Sequence, residues 1–272
     1  MKRKLLFATA VVFALSLYAQ TQSVNNLSFT YRHIYQDCEE IVRLSECLCV
    51  LDIEGNKSHF YNKDFERGTD LTDSLLRKGL SATEIVAVKK KEGISSNAAS
   101  TNVFKNYPED GKITVTENIG KIYLYEEAMP ELEWNIEEGD TIIAGYACYK
   151  ASTRYRGRTW TAFYTPDIPI GEGPWKLCGL PGVILYGKDS QNKFIYDCIG
   201  ISNNLQRPIK TRKEKIQRCN AKEMADLLTL VLRDMDELMF RMSGVRVKHY
   251  NPDGTQAKSL QPLTACLKEI PE

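Results

Sequence analysis

This chain of 272 residues has almost no excess of charge of either sign, few histidines and none of the short motifs of common enzymes. Lys and Arg number 36 and Asp and Glu number 35, so the formal net charge is +1 and does not favour a nucleic acid partner. The only histidines are His33, His59 and His249. No Gly-x-Ser-x-Gly, His-Glu-x-x-His, phosphate-loop or dinucleotide-binding signature occurs. The sequence therefore predicts neither a catalytic residue nor a cofactor.

Long hydrophobic runs are also absent, apart from one near the N-terminus. Lys2, Arg3 and Lys4 precede the uncharged segment Leu5–Leu17. As a helix this segment would be about 20 Å long, whereas the hydrocarbon core of a bilayer is about 30 Å thick, so a retained anchor is the weaker alternative. The pattern predicts a signal peptide over residues 1–19, cleaved after Ala19. We expect a single β-rich domain over residues 20–272, periplasmic or secreted, without a transmembrane segment.

Cysteine is too rare for a disulfide scaffold, although the even number of eight fits an exported chain. We expect one to three disulfides and some buried free thiols. Two cysteines that alternate on one predicted strand, at 47 and 49, should point to the same face of the sheet. A zinc site from three cysteines and a histidine is a weak alternative, because no Cys-x-x-Cys spacing occurs, and no metal is predicted. The candidate disulfide residues are Cys38, Cys47, Cys49, Cys148, Cys178, Cys198, Cys219 and Cys266.

Alternation of apolar and polar residues with a period of two predicts a mainly β fold. It is clearest over Asn26–Tyr35, where Leu27, Phe29 and Tyr31 alternate with polar neighbours. Short helices are predicted over 70–78 and after a capping box at Ser81, with an exposed loop over 92–102. Two hairpins join 146–153 to 159–165 and 183–186 to 194–201. The remaining predicted strands cover 43–53, 58–65, 113–116, 122–125, 132–136 and 141–149.

The strongest helix prediction spans Asn220–Met242, which begins with a cap pair of Asn220 and Glu223 and ends before Gly244. We expect a curved antiparallel sheet or an open barrel-like bowl with this one long C-terminal helix packed across a face. The apolar stripe should be mostly buried, and a ligand surface is the weaker alternative. The stripe consists of Met224, Leu227, Leu228, Val231, Met235, Leu238, Met239 and Met242.

The densest group of motif residues lies between Gly145 and Ile201. It resembles the GLPGLI family of bacterial exported proteins, whose name motif here reads Gly179-Leu180-Pro181-Gly182-Val183-Ile184. The resemblance implies an exported, mostly β protein of unassigned function, and it supplies no catalytic residue. The flanking segments that carry it are Gly145-Tyr146, Cys148, Lys150-Ala151, Arg156-Gly157-Arg158, Tyr164-Thr165-Pro166, Ile168-Pro169 and Gly173-Pro174-Trp175-Lys176.

Turn chemistry explains part of the motif without any function. Leu180–Val183 is predicted to form a type II turn, with trans Pro181 at its second position and Gly182 in positive φ at its third. Trp175 should hold the surrounding Pro- and Gly-rich loop against the sheet. The functional alternative is a ligand or partner site on this loop. Its candidate residues are Trp160, Tyr164, Trp175, Gly179, Leu180, Pro181 and Gly182.

Two classes of function remain. The favoured one is an exported envelope binding or accessory protein whose partner is an envelope protein, a peptide or a glycan. The alternative is a hydrolase acting on peptides or glycans, and glycan hydrolysis would need two carboxylates brought together. The basic run Arg207–Arg218 is expected to be a solvated strand edge or to contact an acidic surface. Candidate carboxylates, also expected to be solvated, are Glu126, Glu127, Glu131, Glu133, Glu137, Glu138 and Asp140.

Overall fold

Twelve strands and four helices are formed by the residues that the computed structural model describes, which are 26–40, 43–94, 100–211, 216–246, 248, 250, 252–253, 255 and 263–269. The strands are β1 (Asn26–Gln36), β2 (Leu44–Glu54), β3 (Lys57–Asn62), β4 (Asn102–Lys105), β5 (Lys112–Asn118), β6 (Ile122–Ala128), β7 (Asn135–Ile143), β8 (Tyr146–Tyr155), β9 (Arg158–Thr165), β10 (Val183–Asp189), β11 (Phe194–Ser202) and β12 (Ile216–Arg218). The helices are α1 (Lys63–Arg77), α2 (Ala82–Lys91), α3 (Ala221–Arg233) and α4 (Met235–Ser243). The predicted signal peptide lies outside the described residues.

All twelve strands belong to one sheet, in the order β12-β6-β5-β4-β3-β2-β1-β11-β10-β9-β8-β7. Neighbouring strands are antiparallel, except that β12 pairs with β6 in parallel. No ladder joins β12 to β7 within the described ranges, so this sheet is open and is not a closed barrel. The predicted mainly β fold is confirmed, and the sheet is mixed and not purely antiparallel.

The sheet bends strongly enough to bring its two ends together. Nine strand spacings separate β6 from β8, which is roughly 40 Å in a flat sheet. Nevertheless, Nη2 of Arg156, directly after β8, lies 2.7 Å from Oε2 of Glu127 on β6. The concave face that results holds the core, where Tyr31, Trp160 and Tyr196 are fully buried.

Both predicted hairpins are confirmed. Arg156 and Gly157 have φ values of +50° and +72°, the left-handed pair that a two-residue turn between twisted strands needs. They join β8 to β9, where Tyr155 pairs with Arg158. In the second hairpin β10 pairs with β11 through Tyr186 and Asp197.

The strand predicted over 58–65 is too long, because its last residues begin a helix. The side chain of Asn62 accepts a hydrogen bond from the backbone N–H of Phe65 at 3.0 Å and thereby caps α1. Phe65 is consequently helical, and α1 starts seven residues before the predicted Asp70. The capping box at Ser81 is confirmed and begins α2.

Three further boundaries differ from the predictions. The buried strand β4 begins at Asn102, the last residue of the loop predicted over 92–102, and Ser100 in that loop is also buried, while residues 95–99 lie outside the described residues. The predicted strand 141–149 is interrupted, because Ala144 and Gly145 have positive φ and turn β7 into β8. Strand 132–136 exists only from Asn135, where β7 begins.

The prediction of one long C-terminal helix is wrong. Asp234, with φ −156° and ψ 81°, interrupts it, so that α3 and α4 are separate. On the predicted stripe Met224 and Leu238 are buried, whereas Met235 and Met239 are exposed by 49% and 42%, and the side chain of Met242 is not among the described ones. None of the helices in the described part of the chain has the length and apolarity of a membrane span.

Candidate functional site

A cleft of about 300 Å³ opens between α3 and the concave face of the sheet, and we call it the α3 cleft. Its helical wall exists because the cap pair of Asn220 and Glu223, each accepting from the backbone of the other at 2.9 Å, starts α3 beside β6. Its residues are mostly apolar on every side. They include Met224, Leu228 and Val231 from α3, Tyr35, Val115 and Phe194 from the sheet, and Trp175 from the loop 166–182.

The loop 166–182, which connects β9 to β10, is folded tightly against the sheet. Backbone hydrogen bonds close it on itself and on β10, from Gly179 N–H to the Gly171 carbonyl at 2.8 Å and from Ile184 N–H to the Glu172 carbonyl at 2.9 Å. Trp175 is buried, with its ring centroid 5.3 Å from that of Trp160. The loop therefore presents Trp175 to the α3 cleft from a rigid support.

A fully buried lysine holds this loop from the opposite half of the sheet. Nζ of Lys105 on β4 lies 2.7 Å from the Glu172 carboxylate and donates to the carbonyls of Gly173 and Leu177 at 2.9 and 3.1 Å. The Ser58 hydroxyl donates to the same carboxylate at 3.0 Å. All three ammonium protons thus have acceptors, which a buried charge requires.

A second buried lysine lies beneath the α3 cleft. Nζ of Lys176 is 2.6 Å from the Glu127 carboxylate, 2.5 Å from that of Glu269 and 2.9 Å from the Tyr125 hydroxyl. Arg156 contacts both carboxylates, with its Nη2 at 2.7 Å from Glu127 and its Nε at 3.8 Å from Glu269. We call this group of Lys176, Arg156, Tyr125 and Glu127 the Lys176 site. Within it, Lys176 and Arg156 carry two positive charges and Glu127 carries one negative charge.

Burial shifts the proton affinity of several groups around the cleft. Burial raises the pKa of the Tyr125 phenol, and the carboxylates of Glu269 and Glu127 raise it further, so this group is a stable hydrogen-bond donor. Burial also raises the pKa of the Glu117 carboxyl. The pKa of the Cys266 thiol rises to about 11 through burial and the nearby Glu39 carboxylate, which makes the thiol unreactive at neutral pH.

A more polar cavity of about 740 Å³ lies on the other side of Glu117, which lines both cavities. Arg207 forms ion pairs there with Glu66, at 3.1 Å, and with Asp70. The ring of His59 stacks on Phe104 with centroids 4.0 Å apart. Arg207, Glu66 and Asp70 are thus engaged with one another. Within the basic run 207–218, Arg207 is therefore paired, Arg218 on the edge strand β12 is mostly exposed, and residues 212–215 lie outside the described residues.

The predicted turn at the name motif is wrong in its geometry. Gly182 does not have positive φ, so Leu180–Val183 is not a type II turn, whereas the bond before Pro181 is trans as predicted. Val183 pairs with Thr165, and this register leaves no space beside Gly182. A Cβ atom there would lie 2.0 Å from the Thr165 carbonyl oxygen. The glycine is required by this close approach, while Gly179 carries the positive φ, +89°.

The structure does not gather the candidate loop residues into one surface. Trp160, Tyr164 and Leu180 are buried in the sheet core, whereas Gly179 and Pro181 are exposed. Only Trp175 among the seven candidates lines the α3 cleft.

All eight cysteines are free thiols in the structure, so the expected disulfides are not among its bonds. Cys47 and Cys49 do point to one face of β2, with sulfur atoms 3.9 Å apart, well beyond the 2.05 Å of a disulfide. The others are dispersed over different strands and loops. No group of three or more His, Cys, Asp or Glu side chains in the described ranges could hold a metal ion.

The candidate carboxylates are not brought together as an acid pair. Glu131, Glu133, Glu138 and Asp140 are exposed, as expected. Glu126 and Glu137 form ion pairs with Arg218 and Lys150. Glu127 is the exception, because it belongs to the Lys176 site.

Sequence reasoning missed most of the groups around the α3 cleft. Lys176 and Arg156 stand in the quoted motif segments, and Glu127 is among the candidate carboxylates, but none of them was predicted to form this site. Tyr125 and Glu269 carry no signal of their own, since they are far from these residues along the chain and no spacing rule links them.

Comparisons with known proteins find a similarity between part of this region and a family without a known function. A family model described as "Protein of unknown function (Porph_ging)" matches residues 155–186, which contain the loop 166–182. No curated protein matches the chain. Two solved structures, of PNGF-II in the P21 and C2 space groups, match with 13% identity and a TM-score of 0.49, over 74% and 75% of this chain. The matched part is 32% of the PNGF-II chain, so this chain spans about a third of its length.

Proposed function

We propose that the chain is an exported, GLPGLI-type binding or accessory protein of the cell envelope, and that it binds its ligand in the α3 cleft. Residues 1–19 are its signal peptide and residues 20–272 its single domain, in the periplasm or outside the cell. The basic start and short apolar segment at the N-terminus support export, and the motif between Gly145 and Ile201 supports the family.

The observation that carries the binding function is the composition of the α3 cleft. Its walls are mostly apolar and aromatic, and two of its polar residues, Tyr125 and Glu269, contact Lys176 beneath it. Apolar walls with a few placed polar groups are typical of ligand sites. The charged groups around Lys176 are already paired with one another, an arrangement that suits binding better than proton transfer.

The dye 1-anilinonaphthalene-8-sulfonate tests this proposal, because it joins apolar rings to one anionic group. We expect Leu228→Trp, which fills the cleft, to weaken dye binding about tenfold or more, a loss of about 1.4 kcal/mol. Ala225→Leu should give a smaller loss if Leu228→Trp fails to fold. The control Arg233→Trp, at an exposed position of the same helix, should bind like the wild type. Equal fluorescence titrations for all variants would contradict a ligand in this cleft.

A hydrolase is the second candidate, and Glu117 is the observation that favours it. Burial raises the pKa of this carboxyl, as in general acids, and the residue lines both cavities. New fragments in a mass spectrum of envelope peptides or glycans, produced by the wild type and not by Glu117→Gln, would favour this function over binding alone.

A further inference from the structure

The Lys176 site has one more positive than negative charge, and the carboxylate that balances it comes from a segment outside the sheet and its loops. Lys176 and Arg156 supply two positive charges, and Glu127 on β6 supplies one negative charge. The second carboxylate is that of Glu269, in the segment Leu263–Glu269. Without Glu269, Lys176 and Arg156 would share the single negative charge of Glu127. Because the side chain of Lys176 has no exposed area, the excess positive charge would be strongly unfavourable.

Glu269 is bound as a ligand carboxylate would be. It accepts from Lys176 at 2.5 Å and from the Tyr125 hydroxyl at 3.2 Å, and it lies 3.8 Å from Nε of Arg156. A cation, a phenol and a guanidinium thus converge on one carboxylate group, which is the arrangement by which proteins recognise anions.

The rest of the segment is bound in the manner of an added peptide strand. Ala265 forms an antiparallel bridge with Cys38, beyond the end of β1. The N–H of Cys266 donates to the Asp37 carbonyl at 3.0 Å, and the Thr264 carbonyl accepts from Glu39 at 2.9 Å. Main-chain pairing of this kind accepts an extended peptide of varied sequence, while side-chain pockets select it.

We propose that the Lys176 site and this pairing edge bind an extended peptide of a partner protein that carries a glutamate side chain, in place of the segment Leu263–Glu269. The proposal rests on the proposed binding function and specifies its ligand class. The chain's own segment is then an internal competitor. Because such a competitor is present at a high effective concentration, it weakens the apparent affinity for the partner.

The probe is a fluorescently labelled peptide copying residues 263–269, with the cysteine replaced by serine and both ends blocked, so that its only carboxylate is the glutamate. We expect Glu269→Gln protein to bind it at least tenfold more tightly than the wild type in fluorescence polarisation. The same peptide with glutamine in place of glutamate should lose about tenfold on the Glu269→Gln protein. Adding Arg156→Gln should cause a similar loss, whereas the exposed control Arg154→Gln should not.

Each other outcome overturns the proposal. Equal affinity of the wild type and Glu269→Gln, or of the two peptides, means that Glu269 is only a structural ion-pair partner. Binding of a glucuronic acid oligomer by Glu269→Gln without binding of the peptide identifies an acidic-glycan site instead. A third result would refute this inference but leave the proposed function intact. In it Leu228→Trp weakens dye binding, whereas Arg156→Gln leaves peptide binding unchanged.

Discussion

At the scale of single residues, Gly182 has far less space for a side chain than Gly179, the other glycine of the name motif. The carbonyl oxygen and carbon of Thr165 lie 2.0 and 2.6 Å from the position that a Cβ atom would occupy, and both belong to the backbone. A side chain there cannot be accommodated by a rotamer change. The strands β9 and β10 would have to separate at Val183, where they pair.

Among Gly179, Pro181 and Gly182, alanine is therefore expected to be most destabilising at Gly182, by about 3 kcal/mol or more, because overpacking of a rigid site costs about 1–3 kcal/mol and occasionally more. Gly179→Ala should cost about 1 kcal/mol, since its φ of +89° strains a residue with a Cβ atom although the surrounding space is open. Pro181→Ala, at an exposed trans proline, should cost less than about 1 kcal/mol. Urea denaturation of the three variants gives the order, and a Gly182→Ala protein as stable as the wild type would contradict it.

At the scale of elements, the break between α3 and α4 separates a helix that lines the cleft from one that does not. Asp234 stops α3 through its extended backbone, and its side chain accepts from the N–H of Glu237 at 2.9 Å to start α4. Aspartate prefers such a cap to a helix interior, because its carboxylate satisfies an N–H that has no partner within the helix.

Asp234→Ala should lower the free energy of unfolding by about 1 kcal/mol, the usual cost of a lost N-cap. Hydrogen exchange of the amides at the start of α4 should be faster, starting with Glu237. Asp234→Ser should restore most of the protection, because serine also caps helices. The control Asp226→Ala removes the same carboxylate from an exposed helix interior, where its pair with Lys222 contributes less than about 0.5 kcal/mol. Unchanged exchange in Asp234→Ala would show that the cap does not stabilise α4.

At the scale of the whole molecule, the bend of the sheet lets buried ion pairs connect its two halves. Lys105 joins β4 to the loop 166–182, and Lys176 joins that loop to β6. The loop thus packs between strands that are far apart in the sheet order. These two pairs hold Trp175 in position at the cleft.

Removing one partner of the Lys105–Glu172 pair should cost about 3–5 kcal/mol, because the other charge remains buried and unpaired. Lys105→Met and Glu172→Gln should each show this loss, and the double variant should lose much less than the sum. The control variant is Lys112→Met, at the start of the neighbouring strand β5. It breaks an exposed ion pair with Glu109, which precedes that strand, and should cost less than about 1 kcal/mol. Strict additivity in a double-mutant cycle by urea denaturation would mean that the two charges do not interact.

What the sequence by itself determined is local. Alternation identified β1, the Arg156–Gly157 turn identified the hairpin of β8 and β9, and cap pairs identified the starts of α2 and α3. These features depend on neighbours within a few residues, so the sequence contains them. The break at Asp234 was also readable, because Glu237 follows it at the spacing of a second cap, but the continuous apolar stripe obscured it.

Only the tertiary structure decided the α3 cleft and the reason for Gly182. The Lys176 site joins Tyr125 and Glu127 to Arg156 and Lys176, and the bend of a twelve-stranded sheet brings these residues together. Likewise, Gly182 is constrained by the register of β10 on β9 and not by its own turn. Strand order, register and bend follow from packing the whole core, in which each contact joins residues far apart in the chain. Local patterns of charge and hydrophobicity do not encode such contacts individually.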